Sequence, residues 1–222
     1  MKLGSGKKTI LKKLELIKKA STYVETLLRD RKPRWVKFHT FGHAKAVAER
    51  CKEIGAASTR SAEDLEVVTL AAWFHDVGYV EGIEGHEERS VAVATTFLHE
   101  NGYPEEKIAQ VAGCIKATKM PQNPKNLLEQ ILCDADLAHL ASKDLPELSE
   151  RVRLEIEHKK GRKLTDTEWL TMNIDFVASH RYFTDYARIR YESQRSSNLA
   201  ALRKDLEHLK QQAGPKASGE VP

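Results

Sequence analysis

Only three cysteines, Cys51, Cys114 and Cys133, occur in 222 residues. They lie in apolar helical patterns rather than in paired loop spacings, which argues against a disulfide framework and predicts a reducing compartment. Long hydrophobic runs are also missing. The longest, VVTLAAWF at residues 67–74, falls far short of the ~20 residues a bilayer-spanning helix needs, so no transmembrane span is expected. The basic N-terminal stretch MKLGSGKKTILKKLELIKKA interrupts its leucines and isoleucines with lysine and lacks the continuous apolar core of a signal peptide. A cytoplasmic location is therefore expected. There is no glycine-rich phosphate loop of the Walker type, and no serine or cysteine sits beside a histidine as a covalent route would need. Runs of alternating β-branched and polar residues are absent too, which leaves little for a sheet.

Charge of either sign is not in marked excess. A net charge of +4, with 31% charged and 41% hydrophobic residues, is the balance of an ordinary soluble protein whose length supports one core.

What the chain does have is helical periodicity, and we expect an all-α bundle. Ile10, Leu14, Ile17, Val24 and Leu28 form an apolar stripe on a first helix ending near Pro33. Val47, Cys51 and Ile54 follow His43 at helical spacing and turn that histidine toward the core. Ser61 and Asp64 resemble a capping box opening a third helix, which Gly78 helps to end. A fourth spans roughly His86 to Asn101, and a fifth starts after Pro104 with Glu105 and Glu106 in its first turn. Leu127, Leu128, Ile131, Leu132 and Leu137 mark the buried side of a sixth. Pro146 and Gly161 bracket a charged helix, Thr165 and Glu168 form a capping box, and Leu199, Leu202, Leu206 and Leu209 mark a last amphipathic helix. The implied organisation is a basic N-terminal helix over 1–37, a core over 38–142, C-terminal helices over 143–212 completing the same domain, and a tail over 213–222 of disordered composition.

The chemistry-bearing residues are His43, the dipeptide His75-Asp76, and Asp134 with Asp136, each in an apolar helical context. Singly, each has a plain structural explanation as a hydrogen-bonded core histidine or a paired aspartate. Together they favour a divalent cation, because burying two carboxylates and two imidazoles without one costs several kcal/mol per unpaired charge. Such a cation polarises phosphoryl oxygens and lowers the pKa of bound water, which makes phosphate-ester hydrolysis the first hypothesis.

Four ordered segments, FHTFGHAKAV, LAAWFHDVGY, HEERSVAVATTFL and ILCDADLAHL, resemble the HD superfamily of metal-dependent phosphohydrolases over roughly residues 38–142. The resemblance implies His43, His75, Asp76 and one aspartate of the DAD triplet as ligands. Asp136 fits the family's last motif through Ala135-Asp136-Leu137, with Asp134 as the alternative. His86 is the one candidate extra ligand, and CIKATKM carries lysines where dinuclear members have a second histidine, which points to one metal: Mn, Mg, Fe, Co, Ni or Zn. On this reading Asp76 or Glu88 takes the proton of the attacking water, while His86, Arg89, Thr118 and Lys119 meet the substrate, a small-molecule phosphate ester, most naturally of a nucleotide. The reading from another class is a nucleotide-binding sensor or scaffold with a metal-stabilised fold and little catalysis. The tyrosines and arginines of HRYFTDYARIRYESQR, the lysine-rich first helix and the terminal leucines could serve base stacking, nucleic-acid binding and homodimerisation. Inward packing and solvated faces are the commoner occurrences of such patterns.

Overall fold

The computed structural model describes residues 5–59 and 61–212, with side chains from Lys12 onward. Nine helices run along them in order: α1 (Ser5–Arg31), α2 (Phe41–Ser58), α3 (Ala62–Phe74), α4 (His86–Glu100), α5 (Glu105–Ala117), α6 (Leu127–Leu137), α7 (Leu145–Lys160), α8 (Asp166–Ser179) and α9 (Asp185–Gln212). Two 3₁₀ turns, Val77–Val80 and Ala138–Ala141, follow α3 and α6, and no strand occurs among the described residues. The side chain of Ile10 and the tail from residue 213 lie outside what is described.

Local signals set most helix ends. α1 stops at Arg31, two residues before Pro33. Ser61 accepts a hydrogen bond from the Asp64 amide at 3.2 Å and caps α3. Thr165 and Glu168 close a reciprocal capping box on α8. Gly161 ends α7 at φ +64°, a conformation that costs a side-chain-bearing residue more than glycine.

α3 is the axis of the bundle. Every residue from Glu66 to Phe74 is buried, and α1, α2, α5 and α6 surround it. The apolar run VVTLAAWF is thus a core helix with no solvent face, which is why its pattern shows no polar stripe. Side chains such as Leu70 and Phe74 each contribute about 1.5–3 kcal/mol by leaving water.

A smaller cluster of Leu137, Leu140, Leu145, Ile174, Val177 and Leu202 joins the end of α6 to α7, α8 and α9. Leu199 and Leu206 pack against it, so this stretch of α9 packs back onto its own chain. Leu127, placed on the buried side of α6 from sequence, is 40% exposed because it occupies the helix's first position.

Gly78 departs from its expected role. α3 already ends at Phe74, and Gly78 lies in the following 3₁₀ turn, pressed against the start of α4. A Cβ at this position would stand 2.1 Å from the His86 carbonyl oxygen, and its amide donates to Ser90 Oγ at 2.9 Å. The residue allows close helix approach rather than terminating a helix.

Candidate metal centre and its cavity

Three helices deliver four side chains to one point. His43 comes from the first turn of α2, His75 and Asp76 from the end of α3, and Asp136 from the last turn of α6. One ligand atom from each lies within 4.8 Å of the others. His43 Nε2 is 3.3 Å from His75 Nε2, 3.2 Å from Asp136 Oδ1 and 3.3 Å from Asp76 Oδ2. His75 Nε2 is 2.9 Å from Asp76 Oδ2 and 3.5 Å from Asp136 Oδ1.

These spacings suit a shared cation, since donors about 2.1 Å from a common centre stand roughly 3.0–3.4 Å apart. The tautomer agrees. His75 Nδ1 donates to the Ala72 carbonyl at 2.8 Å, which leaves the Nε2 lone pair facing the cluster. The donor set of two imidazoles and two carboxylates suits a first-row divalent ion or Mg.

The electrostatics describe a charge-dense pocket. Burial disfavours the imidazolium of His75, but the Asp76 and Asp136 carboxylates outweigh it and hold its proton affinity well above the usual range, and His43 is raised by the same balance. Burial opposes ionisation of Asp76, yet His75, His39 and His43 draw its carboxyl well below the ordinary value, and Asp136 is lowered in the same way. In the protein alone, protons on imidazoles offset these carboxylates, and a cation would displace them.

Around the cluster lies a second layer. His86 Nδ1 donates to the Ile83 carbonyl at 2.8 Å, so its Nε2 faces Asp76 Oδ1, 3.4 Å away. Burial lowers the proton affinity of His86, but Asp76 outweighs that and raises it. His139 Nδ1 donates to the backbone oxygen of Asp136 at 2.9 Å.

Sequence reading passed over His39, Tyr79 and Glu155. His39 stacks on Tyr79 with ring centroids 3.9 Å apart, and its Nδ1 lies 2.5 Å from Glu155 Oε2. Glu155 is almost fully buried, and its other oxygen accepts from the amides of Lys37, Phe38 and His39 at 2.6, 2.6 and 3.1 Å. A glutamate of α7 therefore fixes the connector leading to His43. The spacing of His39 four residues before His43 could have drawn attention to it. Nothing in the charged run around Glu155 marks that residue.

The two aspartates of the DAD triplet separate in space. Asp134 is fully buried and accepts from the Phe183 and Thr184 amides, both at 2.8 Å, and from Thr184 Oγ1 at 2.7 Å. It ties α6 to the start of α9 and lies outside the cluster.

The other sequence candidates divide as well. His86, Thr118 and Lys119 line a cavity of about 780 Å³ that also touches Asp76 and Asp136. The Thr118 hydroxyl donates to the Ile115 carbonyl, and Lys119 pairs with Glu88 at 2.6 Å on the protein's outer face. Arg89 spends its guanidinium on the carbonyls of Gly78, Gly82 and Glu84, which shapes the loop before α4. Neither Arg89 nor Glu88 lines the cavity. In the tyrosine and arginine stretch before and within α9, Tyr182 and Tyr191 are buried and Arg195 is held by Glu192 and the Val177 carbonyl, while Arg181, Arg188 and Arg190 are exposed. No helix among the described residues is long and apolar enough to cross a membrane.

Comparison with known proteins agrees with this geometry. Residues 40–141 match the family model of the HD domain. No protein of curated function matches the chain. Three solved structures share its fold. Bacillus subtilis YpgQ, solved in complex with ADP, is 20% identical with a TM-score of 0.64 over 94% of this chain and 100% of that one. The Lin1889 protein of Listeria innocua is 18% identical, TM-score 0.59, over 88% and 97%. A predicted HD superfamily hydrolase from an uncultured Thermotogales bacterium is 16% identical, TM-score 0.53, over 87% and 92%. The span of α2 to α6, which brings the four clustered side chains together, is thus an HD domain.

Proposed function

We propose that the protein hydrolyses a phosphate ester of a nucleotide, with His43, His75, Asp76 and Asp136 holding one divalent cation. The observation that carries the reading is that Asp76 and Asp136 belong both to the four-residue cluster and to the wall of the 780 Å³ cavity. That volume lies within the range of small-molecule sites and accommodates a nucleotide. The ADP found in Bacillus subtilis YpgQ supports the same ligand class.

When bound, the cation would polarise a phosphoryl oxygen and favour loss of a proton from water. The chain's own residues supply the proton path. Asp76 presents one oxygen to the imidazoles of His43 and His75 and the other to His86 Nε2. As a water oxygen bonds to phosphorus and the bond to the leaving oxygen breaks, Asp76 Oδ1 takes the water's proton and His86 receives it. Glu88, occupied by Lys119, takes no part. Lys119 and the Thr118 segment at the cavity wall meet the phosphate, and the pairing with Glu88 yields when a dianion arrives.

The test is hydrolysis of a panel of phosphomonoesters, cyclic nucleotides and nucleoside triphosphates by metal-stripped protein reloaded with Mn, Mg, Co, Ni or Zn, with Asp76→Ala as control. Metal-dependent turnover lost in the control is expected. Stoichiometric metal binding without turnover on any substrate would replace this reading with a nucleotide-binding sensor.

A further inference from the structure

The cavity beside the cluster runs between α7 and α8, beyond the span of the HD-domain match. α8 contributes Trp169, Met172, Asn173 and Phe176, an i, i+3, i+4, i+7 stripe that faces the cavity from one helix side. α7 contributes Leu145, Ser149, Val152 and Ile156, an i, i+4, i+7, i+11 series on one side of that helix. The two walls are therefore largely apolar and partly aromatic, the surface a flat heterocycle requires.

Four residues on these walls are polar, Ser149 and Lys159 on α7 and Asn173 and Asp175 on α8, and one of them, Asn173, stands apart. Asn173 is 5% exposed, and its amide nitrogen is buried with no hydrogen-bond partner. A buried amide left unpaired is costly, and among the residues of the cavity lining Asn173 is the one that carries such a buried atom.

Taking the proposed nucleotide substrate as given, we infer that its base enters the chamber between α7 and α8, stacks against the aromatic side of α8, and hydrogen-bonds through its edge to Asn173. Asn173 is thereby the residue that selects among nucleotides. The phosphates extend back toward Asp76 and Asp136 at the cavity's other end. A carboxamide both donates and accepts, and it complements a base edge that offers an acceptor next to a donor.

Calorimetric titration of metal-free full-length protein with adenosine, guanosine, cytidine and uridine tests the base site apart from any turnover. At least one nucleoside is expected to bind, at least tenfold more weakly to Asn173→Leu, and Asn173→Asp should reorder the preference because a carboxylate cannot donate. Val152→Trp fills the chamber from α7 and should abolish nucleoside binding, which keeps the test decisive if Asn173→Leu melts early. In the metal-loaded protein, the ratio of kcat/KM for the preferred triphosphate to that for inorganic tripolyphosphate should fall about tenfold in the Asn173 variants, mainly through KM. Absence of nucleoside binding in a protein that hydrolyses nucleotide and tripolyphosphate equally well would overturn the base site while leaving the phosphohydrolase intact. Nucleoside binding without turnover would retain the base site and remove the hydrolase.

Discussion

Asp134 and Asp136, two positions apart on α6, face opposite surroundings: Asp136 Oδ1 lies 3.2 Å from His43 Nε2, whereas Asp134 receives three hydrogen bonds from Phe183 and Thr184 at the threshold of α9. Two residues along a helix is a rotation of about 200°, so one side chain cannot stand in for the other.

Substitutions at these two aspartates should therefore have separable effects. Asp136→Ala is expected to weaken Mn or Zn binding at least a hundredfold by calorimetry. Asp134→Ala should keep metal affinity within a few-fold and lose about 2–4 kcal/mol in urea unfolding, because it strands the two buried donors of Thr184 and the part-buried Phe183 amide. Loss of metal binding in Asp134→Ala, with the fold intact, would reverse the assignment.

Gly78→Ala should destabilise the protein by about 2 kcal/mol or more. The added methyl meets the backbone oxygen of His86, which cannot move aside as a flexible side chain could. Since that oxygen belongs to the first residue of α4, substrate KM should also rise as His86 is displaced. An unchanged melting temperature would refute the close-approach reading.

Glu155→Ala should free the connector before α2. Three amides and one imidazole lose their acceptor, and hydrogen exchange at residues 37–39 is expected to accelerate well beyond the change elsewhere in the chain. Protection that stays as in the parent protein would show that other contacts hold this segment.

Acid sensitivity should trace in part to His180. Its Nε2 is buried without a partner, and burial, reinforced by Arg195, pulls its pKa down to about 4 from 6.5. Between those values the unfolded chain binds a proton that the native state refuses. Stability is therefore full above pH 6.5 and falls by about 1.4 kcal/mol per unit as pH drops toward 4, with no further loss from this group below it. His180→Phe, which keeps an aromatic against Tyr182, should flatten the slope by about that amount in unfolding experiments across this window. An equal slope in the variant would assign the sensitivity elsewhere, His139 being the other strongly lowered histidine.

Helix periodicity and capping residues were enough to read the all-α class, the starts of α3 and α8 and both ends of α4 and α7, because these depend on contacts within a few residues. The order His43, His75-Asp76 and an aspartate of the DAD triplet was legible for a related reason, each sitting in an apolar helical segment, while the preference for Asp136 over Asp134 came from the resemblance to the HD superfamily. The cavity between α7 and α8, Glu155 and the fate of Asp134 were not legible. Glu155 reads as one more charge in an acidic and basic helix until α7 folds against residues 37–39, more than a hundred positions away. Arg89 and Glu88 look like free site residues in HEERS, yet backbone carbonyls and Lys119 claim them. The sequence by itself determined which segments become helices and which side chains point inward. Only the tertiary structure decided which inward groups share a cluster and which side of α8 borders the cavity, because long-range packing sets those distances and no local pattern encodes them.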